Sequence, residues 1–231
     1  MSKIIQTKNL IKSFKTGDTE LVVLNGMSFE VEAGEFFSII GRSGSGKSTL
    51  LYQLGLLDHH NSGEIKIDGV SVTDLAHEGR TKFRLKELGY VFQDYALVPE
   101  LSAIENVVIP LLMQGLPRDE AYQKAEKALE RIGLGNRLGN LPNQLSGGEQ
   151  QRVSIARAIA HDPKIIFADE PTANLDSETA DTVMKAFLEL HSQGQTIVMV
   201  THEPEYAGLT DRAMKIGDGK ILADGKPRDV L

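Results

Sequence analysis

Short apolar runs alternate along the chain with amphipathic stretches and glycine-rich turns, a pattern that predicts α/β architecture with a largely parallel sheet. Phe36 to Ile40 is apolar except for Ser38 and reads as a strand buried on both faces. Gly34-Glu35 marks the turn before it, Gly41 to Gly46 forms a loop after it, and Lys47 to Leu54 reads as a helix. Later runs repeat the form. Leu88 to Phe92 ends at Gln93, Ile165 to Ala168 ends at Asp169-Glu170, and Thr196 to Val200 ends at Thr201-His202. In an open α/β sheet ligands bind beyond the carboxyl ends of strands, so these polar ends are candidates to converge on one site.

The runs Ile4 to Lys8, Leu21 to Leu24, Met27 to Val31 and Glu64 to Ile67 show mixed alternation and predict an N-terminal antiparallel layer. Between Pro99 and Pro163 strand-like runs vanish. Ala121, Ala125, Ala128, Leu129 and Ile132 recur there at helical spacing, with Glu120, Lys124, Glu126, Lys127, Glu130 and Arg131 between them. The expected organisation is a single nucleotide-binding domain over 1–231, with a catalytic core of 1–94 and 162–231 and a helical subdomain inserted at 95–161.

Composition narrows the class of protein. The 231 residues, 41% hydrophobic and 25% charged, fit a packed globular domain and not a disordered or fibrous chain. A net charge of −7 argues against a domain built to neutralise nucleic-acid phosphates. No apolar run is long enough to cross a bilayer, and the first residues, Met1 to Lys8, lack the form of a secretory leader, so a cytoplasmic location is expected. The absence of cysteine removes disulfide, thiolate and cysteine-metal chemistry together. The six histidines show no metal-ligand spacing, and His59-His60 beside Asn61-Ser62-Gly63 reads as a polar turn.

The strongest chemical signal is Gly41-Arg42-Ser43-Gly44-Ser45-Gly46-Lys47-Ser48, which satisfies G-x-x-x-x-G-K-[ST] between a strand and a helix. A chance match to its fixed positions in a chain this long is on the order of one per cent. Glycines let the backbone wrap a phosphate chain, and successive N–H groups with the helix N-terminus offer positive potential. Lys47 is placed for the β- and γ-phosphates, the Ser48 hydroxyl for Mg²⁺, and Thr49 as a lesser helper. Asp169, directly after an apolar strand, has the placement of the carboxylate that shares the metal with Ser48, and Glu170 that of a group orienting or deprotonating an attacking water. His202 is a candidate γ-phosphate contact. The competing explanation for the acidic pair and the histidine is an exposed strand end.

Leu145-Ser146-Gly147-Gly148-Glu149-Gln150-Gln151-Arg152 opens a helix-like run through Ala160. Ser146 and Glu149 have capping-box spacing, so a well-capped helix explains them; a helix start with two glycines and a hydroxyl is also an anion receptor. With the phosphate loop before it and Asp169 after it, this octet resembles the hallmark of the ATP-binding-cassette ATPases, and the resemblance extends over essentially the whole chain. It implies a P-loop NTPase (RecA-like) core with mainly parallel sheet, an N-terminal antiparallel β layer and an inserted helical subdomain. It also implies ATP and Mg²⁺ as ligands, and a head-to-tail homodimer. In that dimer Ser146, Gly147, Gly148 and Glu149 of one subunit close over ATP held by Lys47 and Ser48 of the other.

Position by position, Gln93 resembles the glutamine that senses Mg²⁺ and the membrane partner, Asp176 the aspartate at the dimer seam, and His202 the switch histidine. Phe14 stands where relatives stack an aromatic, usually tyrosine, on adenine; a core phenylalanine is the alternative. Ala173 replaces a more usual glycine or serine. The stretch from Phe92 through Pro110-Leu111, with Ala168-Asp169-Glu170-Pro171-Thr172, looks like the bacterial subgroup serving lipoprotein release, macrolide export and antimicrobial-peptide export. The resemblance implies ATP hydrolysis coupled to integral membrane subunits that dock near Gln93 to Leu101, where Tyr95, Leu97, Val98 and Leu101 offer apolar anchors. The chain is then expected at the cytoplasmic face of the plasma membrane, with no nucleic-acid partner. A cell-division-like machine that transmits force is a variant of this reading. A DNA-repair cassette is disfavoured by the short helical segment and acidic charge, and a small P-loop kinase has no use for Leu145 to Arg152.

Overall fold

The structure, a computed structural model, describes residues 2–17 and 19–231, apart from the Thr16 side chain; Met1, with which the leader reading begins, and Asp18 lie outside it. In chain order the elements are β1 (Lys3–Thr16), β2 (Thr19–Met27), β3 (Glu30–Glu32), β4 (Phe36–Ile40), α1 (Lys47–Leu54), β5 (Ser62–Ile67), β6 (Val70–Ser71) and α2 (His77–Glu87). There follow β7 (Leu88–Val91), α3 (Ala103–Met113), α4 (Arg118–Arg131), a single 3-10 turn over Pro142–Gln144, α5 (Gly147–Ile159) and β8 (Ile165–Asp169). The chain ends with α6 (Ser177–Ser192), β9 (Thr196–Val200), α7 (Pro204–Ala207), β10 (Arg212–Gly217), β11 (Lys220–Gly225) and α8 (Pro227–Val230). Two compact units result, Met1–Lys82 with Gly194–Leu231, and Phe83–Gln193.

In the first unit β4 and β9 are buried at every position, as their largely apolar runs predict. They lie parallel with Ile39 opposite Val200; β10 runs parallel on the other side of β4, and β11 closes that edge antiparallel to β10. The pairing sets the loop after Ile40 beside the segment after Val200. The predicted antiparallel layer is present in the order β2-β1-β5-β6, with β3 also on β1. Its strands run longer than the expected segments, except that Met27 to Val31 is broken at Ser28-Phe29. There the Phe29 carbonyl accepts from the Thr7 N–H at 2.9 Å and from Thr7 Oγ1 at 3.1 Å, while the Phe29 N–H donates to Thr7 Oγ1 at 2.9 Å in place of a backbone carbonyl.

Arg212 fastens several strands of this unit. Its guanidinium donates to both Asp224 oxygens at 2.6 Å and to the Glu30 carbonyl at 2.9 Å, and lies 4.9 Å from the Phe37 ring centroid. Asp224 is the chief reason its pKa is raised.

In the second unit β7 and β8 are parallel, with Val91 opposite Ala168, so Gln93 and Asp169-Glu170 follow neighbouring strand ends. The helices α3, α4 and α5 pack on one another, and the stripe read from the sequence, Ala121, Ala125, Ala128 and Leu129, is the buried face of α4. α5 comes close to β7 at Gly89, where a Cβ would run into the Ala158 carbonyl. The strands β10 and β11 and the helices α2 and α6 were not anticipated. Among the described residues no helix is long and apolar enough to cross a membrane.

Arg212→Lys keeps the charge but loses the paired contact with Asp224. It is expected to lower unfolding free energy by about 1–3 kcal/mol, read as a shift of the urea midpoint at unchanged slope.

Candidate functional site: a phosphate cradle and a braced helix start

The loop after β4 is built on positions where a side chain cannot stand. At Gly46 φ is +98°, and a Cβ would come 2.9 Å from the Val23 carbonyl; at Gly41 it would come 2.6 Å from Ser45 Oγ and closer still to the Ile216 carbonyl. α1 therefore starts from a left-handed glycine, with no side-chain cap and no acid in its first turn. Every other described helix of eight or more residues has one or the other: Glu78 in α2, Ser102 in α3, Asp119 in α4, Ser146 in α5 and Asp176 in α6. Uncapped N–H groups and the positive end of the helix dipole are thus offered to a ligand.

Lys47 is buried and donates to the carbonyls of Gly41 at 3.0 Å and Arg42 at 3.1 Å, so its ammonium lies within the loop. Arg42, Ser43 and Gly44 are exposed, Ser48 and Thr49 half-buried, and the buried Ser45 Oγ has no partner among the described residues. His202 is exposed beside this loop in the strand order, after Thr201, whose hydroxyl accepts from the Glu203 N–H at 3.1 Å. Phe14 is 44% exposed, so it is not a core residue; Lys12 Nζ lies 4.7 Å from its ring centroid.

In the second unit the buried Asp169 ends β8, and Glu170 has φ of +43°, a conformation rare for a residue with a side chain. Gln93 is exposed, and its carbonyl accepts from Asn174 Nδ2 at 3.0 Å. Ser48, Gln93 and Asp169, expected from the sequence for a metal, can each offer an oxygen, the donor magnesium takes; no cluster of three or more His, Cys, Asp or Glu among the described residues would hold a metal by itself.

Ser146 caps α5, accepting from the Glu149 N–H at 3.2 Å while its own N–H donates to Glu149 Oε2 at 2.9 Å. This second bond is the main reason the Glu149 carboxyl titrates below its usual range; Arg137 adds to it at 3.0 Å. Asp176 caps α6 by accepting from the Thr179 N–H at 3.0 Å, which lowers its pKa, and from the Thr179 hydroxyl at 2.8 Å. Its folded-state pKa being depressed, this cap is intact near neutrality and weakens as pH falls through the carboxylate range. Gly147 and Gly148 are packed from within: a Cβ on Gly147 would meet Tyr95 Oη at 2.9 Å, and one on Gly148 would overlap the Thr179 methyl.

Three polar groups here, Gln151 and Asn106 buried and Arg157 half-buried, were not singled out from sequence. Gln151 Nε2 donates to the carbonyls of Pro171 at 2.9 Å and Phe92 at 3.4 Å. Arg157 donates to those of Tyr95 at 2.9 Å and Ala96 at 2.5 Å, and burial lowers its pKa. Asn106 accepts from the Val98 N–H at 2.7 Å and donates to the carbonyls of Val98, Leu101 and Ser102. Their signal is a polar residue inside an otherwise apolar helix face, which requires a hydrogen-bond partner but does not say which. Together they fix the loop in which Tyr95, Leu97 and Leu101 are half-buried and Val98 is 39% exposed.

The ABC transporter family model matches residues 24–173. Over 224 residues the chain is 47% identical to the lipoprotein-releasing system ATP-binding protein LolD of Aquifex aeolicus (strain VF5), covering 97% of this chain and 98% of that one. It is 43% identical over 227 residues to the macrolide export ATP-binding/permease protein MacB of Aggregatibacter actinomycetemcomitans, covering 98% of this chain but 35% of that longer protein. Among solved structures, the dimeric ATP-binding cassette MJ0796 in a post-hydrolysis state bound to ADP and Pi superposes with a TM-score of 0.89 at 39% identity, covering 97% of this chain and 99% of that one. The chain belongs to the ABC transporter family, as an ATP-binding and ATP-hydrolysing subunit with the P-loop NTPase fold.

Gly148→Ala is expected to lower unfolding free energy by about 1–3 kcal/mol through overpacking against Thr179. Adding Thr179→Ser, which removes the methyl and keeps the hydroxyl on Asp176, should restore most of that loss in a double-mutant denaturation cycle.

Proposed function

We propose that this chain is the motor of a bacterial transporter of the lipoprotein-release or export type, working as a homodimer that closes on ATP and drives integral membrane subunits at the cytoplasmic face of the membrane. The observation that carries the reading is the start of α1, which alone among the longer described helices lacks both a cap and an acid and has a buried lysine beside it. The likeness to the lipoprotein-releasing LolD and the macrolide exporter MacB supports the transport class, and the dimer of MJ0796 supports the assembly.

In this reading Gly41 to Thr49 wrap the phosphates, Lys47 holds the β- and γ-oxygens, and Phe14 offers its exposed ring to the base. Ser48, Gln93 and Asp169 would hold Mg²⁺, which when bound neutralises phosphate charge. Glu170 orients or deprotonates the attacking water, and His202 contacts the γ-phosphate. Ser146, Gly147, Gly148 and Glu149 of a second copy close on the same phosphates, with Asp176 at the seam. ATP is then the differential ligand, contacted from both subunits only when they are together. The exposed Val98 and the half-buried Tyr95, Leu97 and Leu101 supply the docking surface, with 95–161 serving as the helical subdomain that carries movement to the membrane.

Glu170→Gln is expected to retain ATP, to accumulate as an ATP-dependent dimer in light scattering, and to release phosphate about 10²- to 10⁴-fold more slowly. Phosphate release at the parental rate would remove Glu170 from its role. Val98→Asp should leave nucleotide binding intact while abolishing co-purification with the membrane subunit and its stimulation of the ATPase; unchanged co-purification would move the docking surface elsewhere.

A further inference from the structure

A buried side-chain amide on α5 touches two loops that the proposed chemistry depends on. Gln151 is fully buried, and its Nε2 donates to the Pro171 carbonyl at 2.9 Å and to the Phe92 carbonyl at 3.4 Å. The first of these carbonyls lies one residue after Glu170, and the second belongs to the peptide that leads into Gln93. An amide nitrogen has two hydrogens, and both are committed. Rotating the amide would turn Oε1 toward two carbonyl oxygens, so the orientation is fixed by charge; Oε1 itself is buried without a partner among the described residues. Methionine would fill the same space without that unsatisfied oxygen, so packing alone does not call for glutamine.

Glu170 is the group most in need of such a hold. Its φ of +43° is sparsely populated for a non-glycine residue and persists only where neighbours over-determine it. The Ala173 N–H closes the following turn on the Glu170 carbonyl at 3.2 Å, and Pro171 has no N–H with which to add a backbone bond of its own. The Gln151 amide is a side-chain tether from another element on this turn, and it is shared with the stem of the Gln93 loop. On the same helix Arg157 holds the next carbonyls of that loop, at Tyr95 and Ala96.

We propose that Gln151 is a positioning residue for ATP hydrolysis, its amide fixing Glu170 through the Pro171 carbonyl and linking that position to the Gln93 loop through the Phe92 carbonyl. This rests on the reading of Glu170 as the water-orienting carboxylate. Displacement of the Phe92 carbonyl then shifts the amide and, with it, the turn that aims Glu170, so the state of the loop is felt as a change in turnover and not in ATP affinity.

Gln151→Met in the full-length chain tests this. Its kcat is expected to fall about ten- to a hundredfold, with KM for ATP unchanged within about twofold and ATP-dependent dimerisation retained. In a Glu170→Gln background the same substitution should leave the residual rate unaltered, because the group it positions is gone. Gln151→Glu adds a readout that a packing role would not move. Its carboxyl regains a donor only when protonated, so its kcat relative to the parent should rise as pH is lowered, while Gln151→Met stays flat. A parental kcat in Gln151→Met, an equal loss in the Glu170→Gln background, or parallel pH profiles for the two variants would each overturn the proposal. Parental hydrolysis by Glu170→Gln alone would instead overturn the role of Glu170. If Gln151→Met does not fold, the unaltered protein decides. The Gln151 side-chain amide protons should exchange slowly with solvent by NMR, and exchange as fast as an exposed glutamine would sink the assignment.

Discussion

The uncapped first turn of α1, with no acid in it, is the constraint on which the nucleotide chemistry depends. A helix start carries N–H groups with no partner in the helix, and proteins ordinarily close them with a serine, an aspartate or an acidic first turn. Here Gly46 stands where the cap would be, in a left-handed conformation, with the Val23 carbonyl too near for any side chain. Gly41 is hemmed in by Ser45 and by the Ile216 carbonyl from β10. The loop is thus pressed against its own sheet on one side and left open on the other. Lys47 adds charge from within and is held by the loop's own carbonyls, so the cradle is shaped before any phosphate arrives. Such preorganisation reduces the ordering that binding would otherwise require.

The start of α5 solves the same local problem in the opposite way. Ser146 and Glu149 close its first turn reciprocally, and Gly147 and Gly148 are small because Tyr95, Leu175 and Thr179 lie against them. Thr179 is itself part of the cap on α6, so one methyl group belongs both to the packing of α5 and to the start of the next helix. The composition that looks like an anion receptor is therefore also dictated by packing inside one chain. The two roles do not compete, since closing the helix leaves Ser146 exposed and Gly147 half-buried at its start.

Much of this organisation was legible in the residues. Largely apolar runs identified β4, β8 and β9, and the three- and four-residue spacing of Ala121 to Leu129 gave the buried face of α4. The phosphate loop and the capping box needed only local spacing, because each is a contact between neighbours in sequence. What was not legible depended on partners far along the chain. Met27 to Val31 reads as one strand until the Thr7 hydroxyl takes the Phe29 N–H, and nothing in either segment announces that exchange. Phe14 could be core or surface until its exposure was known. Gln151, Arg157 and Asn106 are polar residues in helices, and their meaning lies in which carbonyls the fold brings to them.

The carbonyls held by Arg157 and Gln151 belong to, or adjoin, strained backbone of the second unit. Several side-chain-bearing residues in the described chain have positive φ, and most of the others are asparagine or aspartate in turns, where a short polar side chain eases the conformation. Tyr95, Ala96 and Glu170 have no such relief. The carbonyls of Tyr95 and Ala96 are held by Arg157, and that of Pro171, one residue after Glu170, by Gln151, both donors from α5. Conformations of this kind relax unless their surroundings forbid it. The helix that opens with the family's hallmark thus also holds the loop bearing Gln93 and the turn bearing Glu170. An event that moves α5 must therefore either carry both with it or break these bonds.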